Sequence, residues 1–181
     1  MDMLTDPNDE LIDAPSITKA VLFVDVVAST AYVRRNGDQQ WRSAVRSHER
    51  AARAVVERHH GSVESFTGDG FLILFDDPAD AVECAVRLQF ANDVQHLFEI
   101  RIGLEYGEVL PFGPGRYVGY AIHIASRITD LSGPGQITMS DRCYWSARCR
   151  AAIPPTEQRE VELRGADAPV TVHVIQADHR A

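Results

Sequence analysis

Asp25 and Asp69 are the two side chains of this sequence best placed to carry out chemistry. Asp25 interrupts an apolar run near its end, and Asp69 lies between two glycines in a Thr-Gly-Asp-Gly turn. An unpaired carboxylate at the end of a buried strand carries a large desolvation cost, which a divalent cation would offset for both groups. Cations that bridge carboxylates and phosphate oxygens are the usual arrangement for in-line phosphoryl chemistry.

A simpler explanation exists for each carboxylate taken alone. An Asp-Gly pair in a hairpin turn needs no function, and an Asp at a strand end is usually a cap or a solvated end. The combination favours a phosphate site because small residues follow Asp25, and their backbone N–H groups could approach an anion closely. The predicted anion-binding residues are Val26, Val27, Ala28, Ser29 and Thr30.

The elements that position these residues follow from the spacing of apolar side chains. Residues 19–27 form a nearly continuous, valine-rich run, which predicts a strand buried on both faces. Residues 38–61 carry apolar side chains at helical spacing, with Asp38 as the expected N-cap and Gly61 as the expected stop. The segments on either side of the Thr-Gly-Asp-Gly turn predict a hairpin.

The rest of the chain alternates helix and strand patterns. Gly and Pro enrichment at 111–116 predicts a loop. The other predicted elements are a helix at 77–93, a strand at 98–110, a helix at 120–133, a strand at 135–140, a short helix at 141–150 and a closing hairpin within 157–176. The order is β-α-β-β-α-β, then α-β-α-β-β. We therefore expect an α+β fold, with a ferredoxin-like βαββαβ core and an αβαββ extension.

Composition and charge predict one folded domain. The net charge of −8 argues against a non-specific nucleic-acid binder, which needs a basic surface. Three cysteines, an odd number, fit reduced thiols, and no apolar run is long enough to span a bilayer. We expect a cytoplasmic protein with no membrane or nucleic-acid partner. Residues 1–17 predict a disordered or loosely docked segment, 18–177 one domain, and 178–181 a short tail.

Five motifs, in order, resemble the class III nucleotidyl cyclase catalytic domain across residues 18–177. They are FVDVVAST, TGDGFLILF, RIGLEYGEV, GYAIHIASRITDLSGPGQITMS and ELRGADAPVTVHVI. The resemblance implies a head-to-tail homodimer whose active sites lie across the interface. It also implies attack of a ribose 3′-hydroxyl on the α-phosphate of a nucleoside triphosphate, with pyrophosphate as the leaving group.

The resemblance assigns roles to individual residues by motif position. Asp25 and Asp69 match the ligands of two divalent cations, Mn²⁺ or Mg²⁺. Arg127 matches the residue that stabilises the charged transition state, and its guanidinium fork suits phosphate oxygens. Arg164 lies where the family often has a Lys that contacts the distal phosphates. His123 replaces a family Asn and can still donate a hydrogen bond; otherwise it is a packed helix histidine.

The residues that read the base depart from the adenylate cyclase pattern. Ser65 occupies the position of an adenine-reading Lys, and Arg116 occupies that of an adenine-reading Asp. Arg116 offers donors and no acceptor, so it disfavours the adenine amine and suits the acceptor-rich edges of uracil or guanine. The bulk of Arg116 favours the smaller pyrimidine.

UTP is therefore the favoured substrate, since bacterial relatives include cyclases that make cyclic UMP or cyclic CMP as signals of phage infection. Three alternatives stay open. The chain could be an adenylate or guanylate cyclase with a rearranged base pocket, a catalytically inactive nucleotide-binding pseudo-cyclase, or an unrelated ferredoxin-like RNA-recognition module. Arg116 could also be a solvated loop residue. The acidic charge speaks against the RNA-recognition alternative.

Overall fold

The structure, a computed structural model, describes residues 15–66, 68–95, 97–113, 115–153 and 157–176. Most of the expected N-terminal segment, Thr67 of the Thr-Gly-Asp-Gly turn and the tail at 178–181 lie outside the described residues. The sheet begins at Ile17, the last residue that the sequence assigned to the N-terminal segment.

The described residues form one mixed sheet of eight strands. The strands are β1 Ile17–Val26, β2 Ser62–Phe66, β3 Gly70–Phe75, β4 Ile100–Gly113, β5 Arg116–Val118, β6 Gln136–Ser140, β7 Glu157–Val161 and β8 Val170–Gln176. Their order is β2-β3-β1-β4-β6-β8-β7, and β5 pairs with β4 outside this path. Only the β4–β6 pair is parallel among the described pairs. The order β2-β3-β1-β4 is that of a ferredoxin-like core, so the predicted α+β fold is confirmed.

The described helices pack on the two faces of the sheet unequally. The helices are α1 Ser29–Asn36, α2 Asp38–Arg58, α3 Pro78–Gln95, α4 Tyr120–Leu131 and α5 Asp141–Arg148. Side chains of α2, α3 and α5 share the main hydrophobic core with one face, which we call the closed face. The opposite face, which we call the open face, packs against α4.

Strand alternation assigns residues of β1 to the two faces. Ala20, Leu22 and Val24 belong to the main core of the closed face. Val21 packs in the smaller cluster of the open face, and Phe23 lies half-buried against it. Because successive side chains point to opposite faces, Asp25 follows Val21 and Phe23 on the open face. The chemistry-bearing carboxylate is therefore kept out of the dry core.

Two glycines let α4 approach the open face closely. A Cβ on Gly103 would lie 2.3 Å from the hydroxyl of Thr129, and one on Gly107 would lie 3.0 Å from the Cβ of Ala121. Any larger residue at Gly103 would therefore push the helix away from β4. This close packing sets the distance between α4 and strand β4, which pairs with the strand that carries Asp25.

Two described elements are missing from the predicted order, α1 and β5. Helix α1 buries no residue, so its sequence has no need of apolar side chains at helical spacing. It also has no side-chain cap, which removes the second sequence signal of a helix start. The expected loop at 111–116 is mostly strand, because β4 continues to Gly113 and Arg116 begins β5. We call residues 110–113 and 115–118 the hairpin arm. In α2, Gly37 takes the N-cap position expected for Asp38, and the helix ends at Arg58 rather than at Gly61.

The hairpin arm folds over the open face. Tyr117 packs against the apolar cluster of that face, which includes Val21 and Leu74. At the tip of the arm, a Cβ on Gly115 would lie 3.6 Å from Oε2 of Glu64 on β2. The arm therefore reaches the neighbourhood of the edge strand that carries Ser65.

Within the described residues, no helix is both long enough and apolar enough to cross a membrane.

Candidate functional site

The two residues that carry the carboxylates are backbone neighbours at one end of the sheet. Strand pairing places Asp25 directly opposite Gly70, the residue after Asp69. The backbone N–H of Val26 donates to the carbonyl of Asp69 at 3.1 Å, which continues the same ladder. The hydroxyl of Ser29, at the start of α1, donates to Oδ2 of Asp69 at 2.9 Å. We call Asp25, Asp69 and residues 26–30 the carboxylate half-site.

Asp25 is held by an arginine that the motif comparison did not single out. Arg101 stands directly opposite Asp25 on β4. Its Nε and Nη2 approach the same oxygen, Oδ2, at 2.8 and 2.7 Å. The other oxygen, Oδ1, has no hydrogen-bond or ion-pair partner among the described residues. A sequence signal was present, since Arg101 lies between Ile100 and Ile102 in a strand, but pairing it with Asp25 required the β1–β4 register.

The backbone after Asp25 turns sharply into α1. Ala28 has a left-handed conformation, with φ 54° and ψ 36°, and the helix begins at the next residue. The N–H of Val26 is bonded to Asp69, and that of Val27 donates to the carbonyl of Glu99 at 2.9 Å. Both amides are thus used inside the fold. This narrows the predicted anion-binding backbone to the first amides of α1, at Ala28, Ser29 and Thr30, which a helix leaves without internal acceptors.

The donor set at this end fits a cation that arrives with a nucleotide. No group of three or more His, Cys, Asp or Glu side chains that could hold a metal ion exists within the described residues. Mg²⁺ is usually bound by one or two carboxylates together with substrate phosphates and water. Asp25, with its unpartnered Oδ1, and Asp69 supply such a pair. They do not form a closed cage of protein ligands.

A second group of predicted residues lines a cleft of about 440 Å³ beside α4. His123 and Arg127 come from α4, and Arg164 comes from the loop between β7 and β8. Packing of Leu163 against Ile124 and Ile128 anchors that loop on the helix. We call His123, Arg127 and Arg164 the arginine half-site.

Arg127 carries an unsatisfied donor in this cleft. Its Nη1 is buried and has no hydrogen-bond partner within the part of the chain that the structure describes. The backbone of Gly165 lies close against the guanidinium, since a Cβ there would come within 3.4 Å of Nη1. A buried donor without a partner costs free energy, and an anion in the cleft would satisfy it.

The two half-sites do not meet within one chain. Among the described residues, neither Asp25 nor Asp69 forms a hydrogen bond or ion pair with any member of the arginine half-site. Their link is indirect: Asp130 lines the arginine cleft, and its carbonyl accepts a hydrogen bond from Nη1 of Arg101 at 2.9 Å.

The two predicted base-reading residues lie in regions that the hairpin arm brings together. Ser65 pairs with Leu72, which pairs in turn with Phe23, so Ser65 shares the open face with Asp25. Arg116 is exposed, and its guanidinium lies over the ring of Phe112 at 5.0 Å. A residue that the motif comparison missed, Glu64, stands at a β-bulge beside Ser65 and near the tip of the arm.

Comparison with known proteins gives one family for the whole domain. Residues 14–177 match the family model described as the adenylate and guanylate cyclase catalytic domain. A Streptomyces coelicolor protein named adenylate cyclase is 26% identical over 153 residues, covering 83% of this chain and 39% of that protein. The chain spans about a third of the length of the curated relatives it matches, 29% to 39%.

Solved structures share the fold at lower identity. The crystal structure of the guanylyl cyclase Cya2 superposes with a TM-score of 0.81 at 23% identity, covering 89% of this chain and 92% of that one. An adenylate/guanylate cyclase/hydrolase from Silicibacter pomeroyi superposes with a TM-score of 0.82 at 22% identity, covering 92% of this chain and 100% of that one. These likenesses establish the architecture and leave the base open.

Proposed function

The chain belongs to the adenylate and guanylate cyclase catalytic domain family, and from that premise we propose that it converts UTP into 3′,5′-cyclic UMP and pyrophosphate. Domains of this family act on nucleotides as dimers and use divalent metal ions. The proposed active site lies between two copies of the chain, and the proposed role of the product is a cytoplasmic antiviral signal. In the reaction the ribose 3′-hydroxyl releases its proton to solvent, the 3′-oxygen forms a bond to the α-phosphorus, and the bond from that phosphorus to the pyrophosphate oxygen breaks.

The observation that carries this proposal is the division of the site into two unfinished halves. The carboxylate half-site offers negative charge at Asp25 and Asp69. The arginine half-site offers a buried Arg127 donor with no partner among the described residues. A triphosphate between the carboxylates of one copy and the arginines of another would satisfy both, which a head-to-tail dimer allows.

Each half performs a different part of the proposed chemistry. Divalent cations, when bound, supply positive charge for the triphosphate and lower the pKa of the 3′-hydroxyl. Asp25 and Asp69 hold them, and the free amides at the start of α1 face the phosphates. Arg127 and His123 donate hydrogen bonds to the charge that develops on the α-phosphate and the ribose. Arg164 neutralises the distal phosphates. Most of the rate enhancement in phosphoryl transfer comes from such positioning and charge stabilisation.

The preference for UTP rests on donors and acceptors near the hairpin arm. Arg116 donates only, so it matches O2 or O4 of uracil and leaves the adenine amine without an acceptor. A site built on hydrogen bonds discriminates strongly against a base that leaves its polar groups unpaired. Ser65 can donate or accept and takes little space, which suits either partner at the edge of β2.

Guanylate cyclase activity is the second candidate, and Glu64 is the observation that favours it. Its carboxylate lies beside the tip of the arm and offers acceptors. Guanine presents N–H donors at N1 and N2 next to the acceptor O6, so Glu64 and Arg116 together could read it. Uracil also has one N–H donor, at N3, between its two acceptors. The number of donors on the base therefore separates the two candidates.

The test is a product assay with each of the four nucleoside triphosphates. We expect purified protein with Mn²⁺ to give cyclic UMP as the main product, identified by mass spectrometry. Cyclic GMP as the main product would support the second candidate, and cyclic AMP would contradict the role given to Arg116. No cyclic product from any of the four would leave a nucleotide-binding pseudo-cyclase and reject the enzyme proposal.

A further inference from the structure

We propose that Arg101 is a positioning residue that occupies Asp25 until a nucleotide arrives, and so keeps free divalent cations from binding the carboxylate half-site tightly. The inference rests on the proposed function, because it assumes that Asp25 and Asp69 hold the cations. Arg101 is the first residue of the motif RIGLEYGEV, but the motif comparison gave it no role.

The geometry of Arg101 is that of a clasp between two elements. Two of its nitrogens contact Oδ2 of Asp25, at 2.8 and 2.7 Å. A third nitrogen, Nη1, donates to the carbonyl of Asp130 at 2.9 Å, and Nη2 lies 3.5 Å from the Asp130 carboxylate. The side chain of Arg101 is 26% exposed and that of Asp25 is 31% exposed, so the pair is only partly screened by water.

The clasp changes the charge that an incoming cation meets. Without Arg101, Asp25 and Asp69 would present two negative charges at neighbouring strand ends. With it, one of these charges is balanced by a guanidinium in direct contact. A cation approaching Oδ1 of Asp25 would also be repelled by the guanidinium a few ångströms away. A cation already bound to a triphosphate brings its own negative ligands, and that repulsion is then offset.

The same arginine stabilises the end of α4. Asp130 lies in the last turn of the helix, where the carbonyl groups have no internal donors and carry partial negative charge. Arg101 supplies both a donor and a positive charge there. Asp130 also lines the cleft of Arg127. Arg101 therefore holds the Asp25 strand and the arginine-bearing helix in a fixed relation.

The experiment measures Mn²⁺ binding directly, without nucleotide. The wild-type chain, Arg101→Lys and Arg101→Gln are titrated with Mn²⁺, and free Mn²⁺ is followed by electron paramagnetic resonance. Arg101→Gln removes the positive charge that repels the cation and should tighten Mn²⁺ binding by on the order of tenfold. Arg101→Lys keeps the charge but loses the fork, so it should give an intermediate, smaller gain. Arg53→Gln is the matched control, since it breaks an arginine–carboxylate pair within α2.

Each outcome decides something. Equal or weaker Mn²⁺ binding in the Arg101 variants overturns the inference, because it would show that Arg101 is neutral or supports the metal ligands. If Arg101→Gln does not fold, as judged by circular dichroism, the order of wild type and Arg101→Lys decides alone. Asp25→Asn and Asp69→Ala distinguish a failure of the metal assignment from a failure of the role proposed for Arg101. If neither lowers Mn²⁺ binding, the metal assignment in the proposed function fails; if both lower it and Arg101→Gln changes nothing, only the role of Arg101 fails.

Discussion

The closed and open faces of the sheet are built from alternate residues of the same strands, yet they do different work. The closed face is packed by three helices around a fully buried apolar core. Its buried thiols are inert: burial raises the pKa of the Cys84 thiol to about 12 and also raises that of Cys143. Such thiols stay protonated and unreactive.

The open face is only partly covered and carries the charged groups. Asp25, Arg101 and Glu105 project from it, and the unpartnered nitrogen of Arg127 lies in the cleft beside α4. Stability and chemistry are thus separated by the two-residue period of the strands. Changes to the charged residues of the open face should alter function with little loss of stability, and changes in the core of the closed face should do the reverse.

The largest expected effect is the rescue of two inactive variants by each other. Asp69→Ala and Arg127→Ala should each lower cyclase activity by at least about a thousandfold, because each removes charge from one half-site. If the site is shared between two copies, a mixture contains heterodimers with one intact site. After equal mixing and random exchange, the rate of cyclic nucleotide formation should recover to about a quarter of the wild-type rate.

The control for this rescue uses two lesions in the same half. A mixture of Asp25→Ala and Asp69→Ala should stay inactive, because no pairing restores an intact carboxylate half-site. Recovery in that mixture, or none with Arg127→Ala, would contradict a site divided between copies. Circular dichroism should show folded protein for all three variants, since the changed residues lie outside the closed-face core.

The sequence predicted that Asp25 and Asp69 lie on neighbouring strands, but it did not predict the ion pair between Asp25 and Arg101. Ferredoxin-like order implies that the strand ending at Asp25 lies beside the hairpin of Asp69, and the β1–β3 pairing confirms this. The contact with Arg101 depends on the register between β1 and β4, which no local pattern encodes. The roles of Asp25, Asp69 and the arginine half-site stay predictions.

Helix α1 and the hairpin arm were missed for a related reason. Helix α1 buries no residue, so it leaves no apolar stripe in the sequence. The arm includes Pro111 and Gly113 within β4, residue types that locally favour a loop. Its position is set by the packing of Tyr117 on the open face, which is a tertiary contact. Boundaries that depend on such contacts are not readable from spacing alone.

The second-largest expected effect is a pH dependence of stability that arises from His48 on the closed face. His48 is buried between the rings of Phe71 and Phe98, and burial lowers its pKa to about 4. Unfolding raises the pKa back towards 6.5, so the unfolded chain binds the proton more readily. The neutral, buried His48 therefore costs the fold nothing above about pH 6.5. The free energy of unfolding decreases as the pH drops from 6.5 towards 4. Between pH 7.5 and 5, His48 should account for a loss of about 2 kcal/mol in the free energy of unfolding.

Urea unfolding of His48→Phe at the two pH values measures this contribution. The variant should lose less stability on acidification than the wild type, by about the same 2 kcal/mol. His60→Asn is the matched control, because it removes an exposed histidine and keeps a residue suited to the positive φ of 60°. An identical pH profile for wild type and His48→Phe would show that the buried ring is not the source of acid sensitivity.

The smallest expected effect is on stability and concerns Glu105, a carboxylate on the open face that lies away from both half-sites. Burial raises the pKa of Glu105, and hydrogen bonds from the Tyr106 N–H and the Ser140 hydroxyl oppose this shift only in part. A raised folded-state pKa means that the group favours folding below its unfolded pKa, and that this benefit is lost as the pH rises. At neutral pH the charged Glu105 therefore destabilises the fold.

Glu105→Gln keeps an oxygen that accepts both hydrogen bonds and removes the charge. It should raise the melting temperature at pH 7 by roughly 2–4 °C, equivalent to about 1 kcal/mol, and the gain should vanish as the pH falls to 4. Glu108→Gln is the matched control, since Glu108 is exposed in the same strand, and it should change little at either pH. A lower melting temperature for Glu105→Gln would mean that the charged carboxylate stabilises the open face, most directly through the nearby Arg142. In that case the separation of stability from charge between the two faces would be incomplete at this position.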